Sequence, residues 1–260
     1  MVELRDVSYR AGNTLILDRV SARFRTNAFN VILGPNGAGK STMLRLATGL
    51  ATPTSGDVRY DGRAIADFEP KELAKLRAVL SQHVELAFPL PVIDVAMMGR
   101  YPHYGRVATA QDRAIVEQAL EMVGMIDRRD QAYPTLSGGE RQKVQLARVL
   151  AQIWTDGSSQ SSGRYLFLDE PTTSLDVHYQ IQILDIARSL LVQQCTIVAI
   201  LHDLNVAFEY GDHYVLLEQG RVALEAERAS EIGQAELERV FHVRARRIDD
   251  EGRAFWRFAL

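Results

Sequence analysis

The 260-residue sequence predicts an α/β protein with a parallel sheet, an antiparallel β layer and an inserted helical segment. Three observations carry that prediction. The apolar run Phe29 to Leu33, the loop Gly34-Pro35-Asn36-Gly37-Ala38-Gly39-Lys40-Ser41 and the helically spaced Thr42 to Leu50 place strand, glycine-rich turn and helix in direct succession. The apolar runs Tyr165 to Leu168 and Thr196 to Leu201, separated by the helical pattern Tyr179 to Leu191, read as a βαβ unit of a doubly covered parallel sheet. Val2 to Val31, by contrast, alternates apolar and polar residues around Ala11-Gly12-Asn13, as two antiparallel strands and a hairpin would.

The remaining elements follow in order. Ser55-Gly56-Asp57-Val58-Arg59-Tyr60-Asp61-Gly62 gives turn, short strand and turn, so a small β layer flanks the glycine-rich loop. From about Pro89 to Trp154 the chain is helix-rich, with Asp112 to Val123 and Glu140 to Trp154 the clearest amphipathic segments. Trp154 to Arg164 is rich in Ser and Gly, has no apolar period, and reads as a surface connector. Past Gly211 come a hairpin around Glu218-Gln219-Gly220-Arg221, a short helix near Ala235 to Phe241 and a strand ending at Leu260. No internal repeat is visible.

Composition narrows the function classes. With 47% apolar residues the chain can bury a substantial core without disulfides or metals. The single cysteine, Cys195, lies in an apolar run and reads as a small buried hydrophobe in a reducing compartment. The absence of a basic leader before an apolar stretch, and of any apolar run near the ~20 residues of a membrane span, leads us to expect a chain neither exported nor inserted by itself. A formal net charge of −3 gives no electrostatic reason to expect nucleic acid, and Arg244, Arg246 and Arg247 read as a solvated face.

The glycine-rich loop fits the phosphate-cradling pattern, a glycine at each end followed by lysine and a hydroxyl residue. Its backbone N–H groups and the following helix N-terminus face phosphates, Lys40 adds a positive charge, and Ser41 is placed to ligate Mg²⁺. The chain is therefore expected to bind ATP or GTP, the alternative being a Gly-rich turn beside a chance lysine. Ligands of parallel sheets bind beyond the carboxyl ends of the strands, and two further apolar runs end in polar groups there. Leu168 leads into Asp169-Glu170, a metal-holding carboxylate beside a base able to deprotonate a water attacking the γ-phosphate; otherwise the pair is a solvated turn. Leu201 leads into His202, which can hydrogen-bond the γ-phosphate or that water, or be a satisfied strand-end histidine. Leu136-Ser137-Gly138-Gly139-Glu140 has capping-box spacing, and its two glycines let a phosphate approach the helix start. Two chains arranged head to tail would complete both phosphate sites.

In this order, Gly34 to Thr42, Gln82, Leu136 to Glu140, Tyr165 to Glu170, Ser174-Leu175-Asp176 and His202 resemble the motifs of the ATP-binding-cassette ATPases. The resemblance implies a phosphate-loop NTPase core of RecA-like type. It places one ATPase domain at 1–243, with core at 1–85 and 164–243, a helical subdomain at about 86–155, the connector at 155–164 and a tail at 244–260. It further implies that Gly34, Pro35, Asn36, Gly37, Ala38, Gly39, Lys40, Ser41 and Thr42 hold ATP. Ser41, Gln82 and Asp169 would serve Mg²⁺, Glu170 would be the catalytic base, His202 the switch histidine and Gln82 the γ-phosphate sensor joining core to helical subdomain. Ser137, Gly138 and Gly139 would reach the partner's ATP, and Asp176 would sit at the dimer seam. The family stacks adenine on an aromatic residue just before the first-hairpin glycine; here Ala11 precedes Gly12, and Tyr9 lies two residues earlier.

Leu44 to Leu50, Phe88 to Val95, Met98 to His103 and Ala199 to Asn205 look like ATPase subunits of iron-chelate and vitamin B12 importers, most of all those for hemin. That resemblance implies a homodimer, peripheral on the cytoplasmic face of the inner membrane beneath a transmembrane permease dimer, with a periplasmic hemin-binding protein delivering cargo. Another iron chelate or vitamin B12 as cargo, or a soluble assembly-scaffold ATPase, are the alternatives. His103, beside Tyr101 and Tyr104, reads as part of a permease-gripping loop and not as a heme ligand.

Overall fold

A computed structural model of the chain describes residues 1–81, 88–154, 163–171, 176–250 and 253–260, with backbone only for 249, 250, 253 and 254. In chain order its strands and helices are β1 (Val2–Ala11), β2 (Thr14–Phe24), β3 (Phe29–Leu33), α1 (Lys40–Ala47), β4 (Ser55–Tyr60), β5 (Arg63–Ala64), α2 (Pro70–Leu76), β6 (Arg77–Leu80) and α3 (Val92–Met97). There follow α4 (Ala110–Met122), α5 (Gly138–Ile153), β7 (Arg164–Asp169), α6 (Val177–Ser189), β8 (Cys195–Ile200), α7 (Leu204–Tyr210), β9 (His213–Glu218), β10 (Arg221–Ala226), α8 (Gln234–Phe241), β11 (Arg244–Asp250) and β12 (Arg253–Ala259). The residues fall into two compact units, Met1–Asp67 with Val198–Leu260, and Phe68–Ile197.

The first unit holds the antiparallel sheet β2-β1-β4-β5. Gly12 and Asn13 turn the expected first hairpin, with Ala11 opposite Thr14 and Gly12 at φ 58°. Strand β1 buries Val2 and Leu4 at period 2, and after a register shift between Leu4 and Val7 it buries Val7. A second layer pairs β3 with β9 in parallel and β9 with β10 antiparallel, the latter around Gln219-Gly220, both at positive φ as a tight hairpin requires. Strand β3 is buried throughout, its one polar residue, Asn30, included. Asn30 closes the preceding turn: its Oδ1 accepts from the Arg25 N–H (2.7 Å) and its Nδ2 donates to the Arg25 carbonyl (3.0 Å). The Leu33–Leu216 register then aims Gly34 at the backbone of Leu217.

Helix α1 begins two residues before the apolar-period estimate, since the loop glycine itself caps it, and ends at Thr48-Gly49. Thr48 donates its hydroxyl to the Leu44 carbonyl (2.9 Å), and Gly49 takes the left-handed φ of 71° that helix exits favour. The C-terminal segment is a hairpin, β11 with β12, in place of the single expected strand. Arg244, Arg246 and Arg247 lie exposed on β11, and their charged run hides the strand from any apolar period.

In the second unit β6 and β7 pair in parallel, Leu80 opposite Leu168. Helices α3, α4 and α5 pack through Val95, Ala96, Val116, Ala119, Leu120, Val144 and Leu146, all fully buried. At the edge of this cluster Arg100 and Asp112 form a buried ion pair, Nε to Oδ1 3.0 Å, with both side chains 7% exposed. The Arg100 guanidinium also donates to the carbonyls of Ala151 (2.7 Å) and Trp154 (3.1 Å) at the end of α5. Asp112 Oδ2 accepts from the Thr109 N–H and hydroxyl in a capping box that starts α4. One charge pair thus ties the start of one helix to the end of another. Burial pushes the Asp112 carboxyl up, but the Thr109 donors and Arg100 more than offset this and hold it below the usual carboxylate range. Removing one partner strands the other charge, so Arg100→Ala is expected to cost about 3–5 kcal/mol in urea denaturation. Because the folded-state value of Asp112 is depressed, its contribution is present above the unfolded value near 3.9 and disappears as pH falls through the lower folded one. Acid titration of unfolding should therefore show a loss in the wild type that is smaller in Arg100→Ala, where only the Thr109 donors remain.

Strand β8 crosses the division between units, with Cys195 to Ile197 in the second and Val198 to Ile200 in the first. Cys195 is buried and its thiol is pushed up to about 12 by burial, as suits an inert packing residue. No helix among the described residues is long and apolar enough to cross a membrane.

Candidate functional site

In the first unit the loop Gly34, Pro35, Asn36, Gly37, Ala38, Gly39 joins β3 to α1. Gly34, Gly37 and Gly39 sit at φ 147°, 79° and 100°, conformations closed to most side chains. A Cβ on Gly34 would fall 2.2 Å from the Leu217 carbonyl oxygen, so at this position the close approach of two backbones demands glycine. Gly39 caps α1, and no acidic side chain occupies the first turn. The α1 N-terminus, carrying Lys40, Ser41 and Thr42, keeps its partial positive charge. Lys40 is buried, and its Nζ donates to the carbonyls of Gly34 (2.8 Å) and Pro35 (3.0 Å), so the ammonium is folded into the concavity of its own loop. The β9–β10 turn braces the loop from behind, the Gly220 N–H donating to the Ala38 carbonyl at 3.1 Å. Tyr9 is half-buried on β1 opposite Leu17.

The same unit carries His202, exposed, two residues beyond β8. Asp203 follows it and caps α7, Oδ1 accepting from the N–H of Asn205 (2.8 Å) and Val206 (3.1 Å).

In the second unit Asp169 ends β7, and Glu170 follows at φ 51°. A non-glycine residue in the left-handed region at a strand end is strained, a state that persists where surrounding structure enforces it. Ser137 starts α5 through the expected capping box: its hydroxyl accepts from the Glu140 N–H (3.4 Å), and Glu140 Oε2 accepts from the Ser137 N–H and hydroxyl (2.9 Å each). The Ser137 donors, backbone first, hold the Glu140 carboxyl below its ordinary range, with Arg128 2.7 Å away. Gly138 and Gly139 are the first residues of that helix. Asp176 caps α6, its Oδ1 accepting from the Tyr179 N–H at 3.0 Å.

Tyr179 then links two of the sequence motifs. Its ring lies so near Gly139 that a Cβ there would meet ring carbons at 3.0 Å, and the Lys143 ammonium sits 4.7 Å from the ring centre. The structure thus brings Asp176 and Ser137 to Gly139 into one packed group, through a residue that sequence reading passed over. Only its place three residues after a helix cap could have signalled it. Gln82, Ser174 and Leu175 lie outside the described residues. His103 turns Nε2 to the Gln152 carbonyl (2.7 Å), and burial lowers its basicity, so the ring is a neutral donor inside its own unit.

A strand-loop-helix with three positive-φ glycines and an inturned lysine defines a phosphate-loop nucleotide-binding protein. The chain belongs to the ABC transporter family, whose sequence model matches residues 17–173. It is 39% identical over 255 residues to the hemin import ATP-binding protein HmuV of Rhodopseudomonas palustris strain BisA53, spanning 98% of this chain and 93% of that protein. Among solved structures it resembles a metal-chelate type ABC transporter in an inward-facing conformation, at TM-score 0.80 and 22% identity over 99% of this chain and 96% of that one. It also resembles the ATP-binding cassette MJ0796 in a dimeric post-hydrolysis state with ADP and Pi, at TM-score 0.72 and 28% identity over 87% of this chain and 98% of that one.

Proposed function

We propose that this ABC-family ATPase energises hemin import, working as a head-to-tail homodimer, peripheral on the cytoplasmic face of the inner membrane beneath a permease dimer fed by a periplasmic hemin-binding protein. The hemin assignment rests on the near full-length similarity to a hemin import subunit. The dimer rests on one observation: a single chain carries both a phosphate loop on one helix N-terminus and a capped, glycine-opened second N-terminus at Ser137.

The residues fit a nucleoside triphosphate with its metal. The α1 N-terminus offers N–H donors without a competing carboxylate, Lys40 supplies a charge close to the loop carbonyls, and the Ser41 hydroxyl and Asp169 carboxylate are the hard oxygen donors Mg²⁺ takes. When bound, Mg²⁺ would neutralise charge developing on the phosphates. Lys40 leaves the carbonyls of Gly34 and Pro35 for the phosphates, and Gly34 to Thr42 orient them. Glu170 takes the proton of the attacking water, and His202 holds that water or the γ-phosphate. Gln82 would sense the γ-phosphate and help to hold the metal. Ser137, Gly138 and Gly139 of one protomer close on the nucleotide of the other, with Asp176 at the seam, so γ-phosphate favours the closed dimer and its loss reopens it. The domain boundaries implied by the family apply on this reading.

If neither protomer owns a complete centre, ATP turnover per chain should rise with protein concentration and plateau, with a Hill coefficient for ATP near two. Constant turnover per chain from nanomolar to tens of micromolar would refute the dimer. For cargo, co-reconstitution with a permease that co-purifies with the chain from detergent extracts should give ATP-dependent hemin transport in proteoliposomes. Transport of a siderophore or vitamin B12 alone, or no permease association, would select the other readings.

A further inference from the structure

We propose that Asn205, clamped to the C-terminal hairpin, is a positioning residue for the turn that carries His202; the proposal rests on the role given to His202 above. The clamp is reciprocal. Asn205 Oδ1 accepts from the Trp256 N–H at 2.7 Å, and Asn205 Nδ2 donates to the Trp256 carbonyl at 3.1 Å. A planar carboxamide engaging both backbone groups of one residue fixes distance and tilt together, which a single hydrogen bond cannot do. Trp256 stands opposite Arg247 in the β11–β12 register, so the amide grips one residue of the hairpin's second strand.

Three features make the clamp consequential. Asn205 lies three residues after His202, and the Asp203 cap takes the Asn205 N–H itself, so Asp203, Asn205 and the first turn of α7 move as one piece. Beside the clamp α7 and the hairpin border a cleft of about 590 Å³ lined by Asn205, Phe208, Ile232, Phe255 and Trp256 among others. The paired hydrogen bonds of the amide are thus a direct tie between them beside that cleft. His202 is itself exposed, and the backbone on either side of it bears on where it stands. On the first side that backbone is the buried strand β8; on the other it is the clamped turn. A displacement near 1 Å in a reacting constellation can cost about two orders of magnitude in rate. Loss of the clamp, with β8 still in place, should cost less, roughly tenfold.

The test uses Asn205→Ala and Trp256→Pro in the full chain. The proline removes the N–H donated to Asn205, while bonds of the neighbouring β12 residues to β11 remain. Each single variant should lower kcat about tenfold with KM for ATP within twofold, and the double variant should be no slower than either single. Built on His202→Ala, Asn205→Ala should add nothing. Unchanged kcat in both single variants, or losses that multiply to about a hundredfold in the double, would overturn the proposal. If His202→Ala itself leaves kcat intact, the reading of His202 fails; if His202→Ala is slow and Asn205→Ala is not, only the positioning role fails.

Discussion

Glu170→Gln is expected to lower steady-state ATP hydrolysis by roughly two to four orders of magnitude while leaving ATP affinity within a few-fold of wild type. The substitution keeps the side chain's size and one carbonyl acceptor, so the strained backbone at φ 51° and the end of β7 have no steric reason to change. What it removes is the ability to accept a proton. Binding, by contrast, falls to Lys40, the loop N–H groups and the α1 N-terminus, whose residues and charges the substitution leaves in place. With binding intact and cleavage blocked, the γ-phosphate bridge between Lys40 of one protomer and Ser137 of the other should persist. Sedimentation with Mg-ATP should show Glu170→Gln as a lasting dimer under conditions where the wild type reverts to monomer. Turnover equal to wild type in the variant would remove Glu170 from the role of base.

Much of this was legible before any coordinates, and the reasons differ by element. The phosphate loop, the βαβ runs and the hairpins at Gly12 and Gly220 rest on local chemistry, where a glycine at positive φ or an unbroken apolar run leaves few alternatives. The Ser137–Glu140 capping box is local too, and appears with both reciprocal bonds. Helix α2, opened by Pro70, and the four-residue β6 passed unread because they are too short to display a period. Strand β11 escaped because Arg-Ala-Arg-Arg-Ile-Asp-Asp has no period-2 apolar face. The Arg100–Asp112 pair, the Tyr179 contact with Gly139 and the Asn205–Trp256 clamp join residues 12, 40 and 51 positions apart. Their partners are chosen by tertiary packing, which no single stretch of sequence encodes. Arg100 is instructive, since a run of aromatic and basic residues invites a binding role, yet its guanidinium is spent on Asp112 and two helix-end carbonyls.

Gly34→Ala should be a strongly damaging change of a single methyl group, and Gly37→Ala isolates why. Both glycines have positive φ, 147° and 79°, so both substitutions incur a backbone cost of about 1–3 kcal/mol. At Gly37 the added Cβ would meet nothing within 4 Å. At Gly34 it would lie 2.2 Å from the Leu217 carbonyl oxygen, an atom fixed by the pairing of β9 with β3 at Leu33 and Leu216. Neither backbone can yield without breaking that register or moving the loop, so the loop moves. The Gly34 carbonyl, which now accepts from Lys40 at 2.8 Å, moves with it, and so does the resting place of the ammonium. Urea denaturation should place Gly34→Ala at least about 2 kcal/mol below Gly37→Ala in stability, or equilibrium dialysis should show ATP affinity reduced more than tenfold relative to Gly37→Ala. Equal stability and equal ATP affinity in the two variants would mean that β9 does not hold the loop in place.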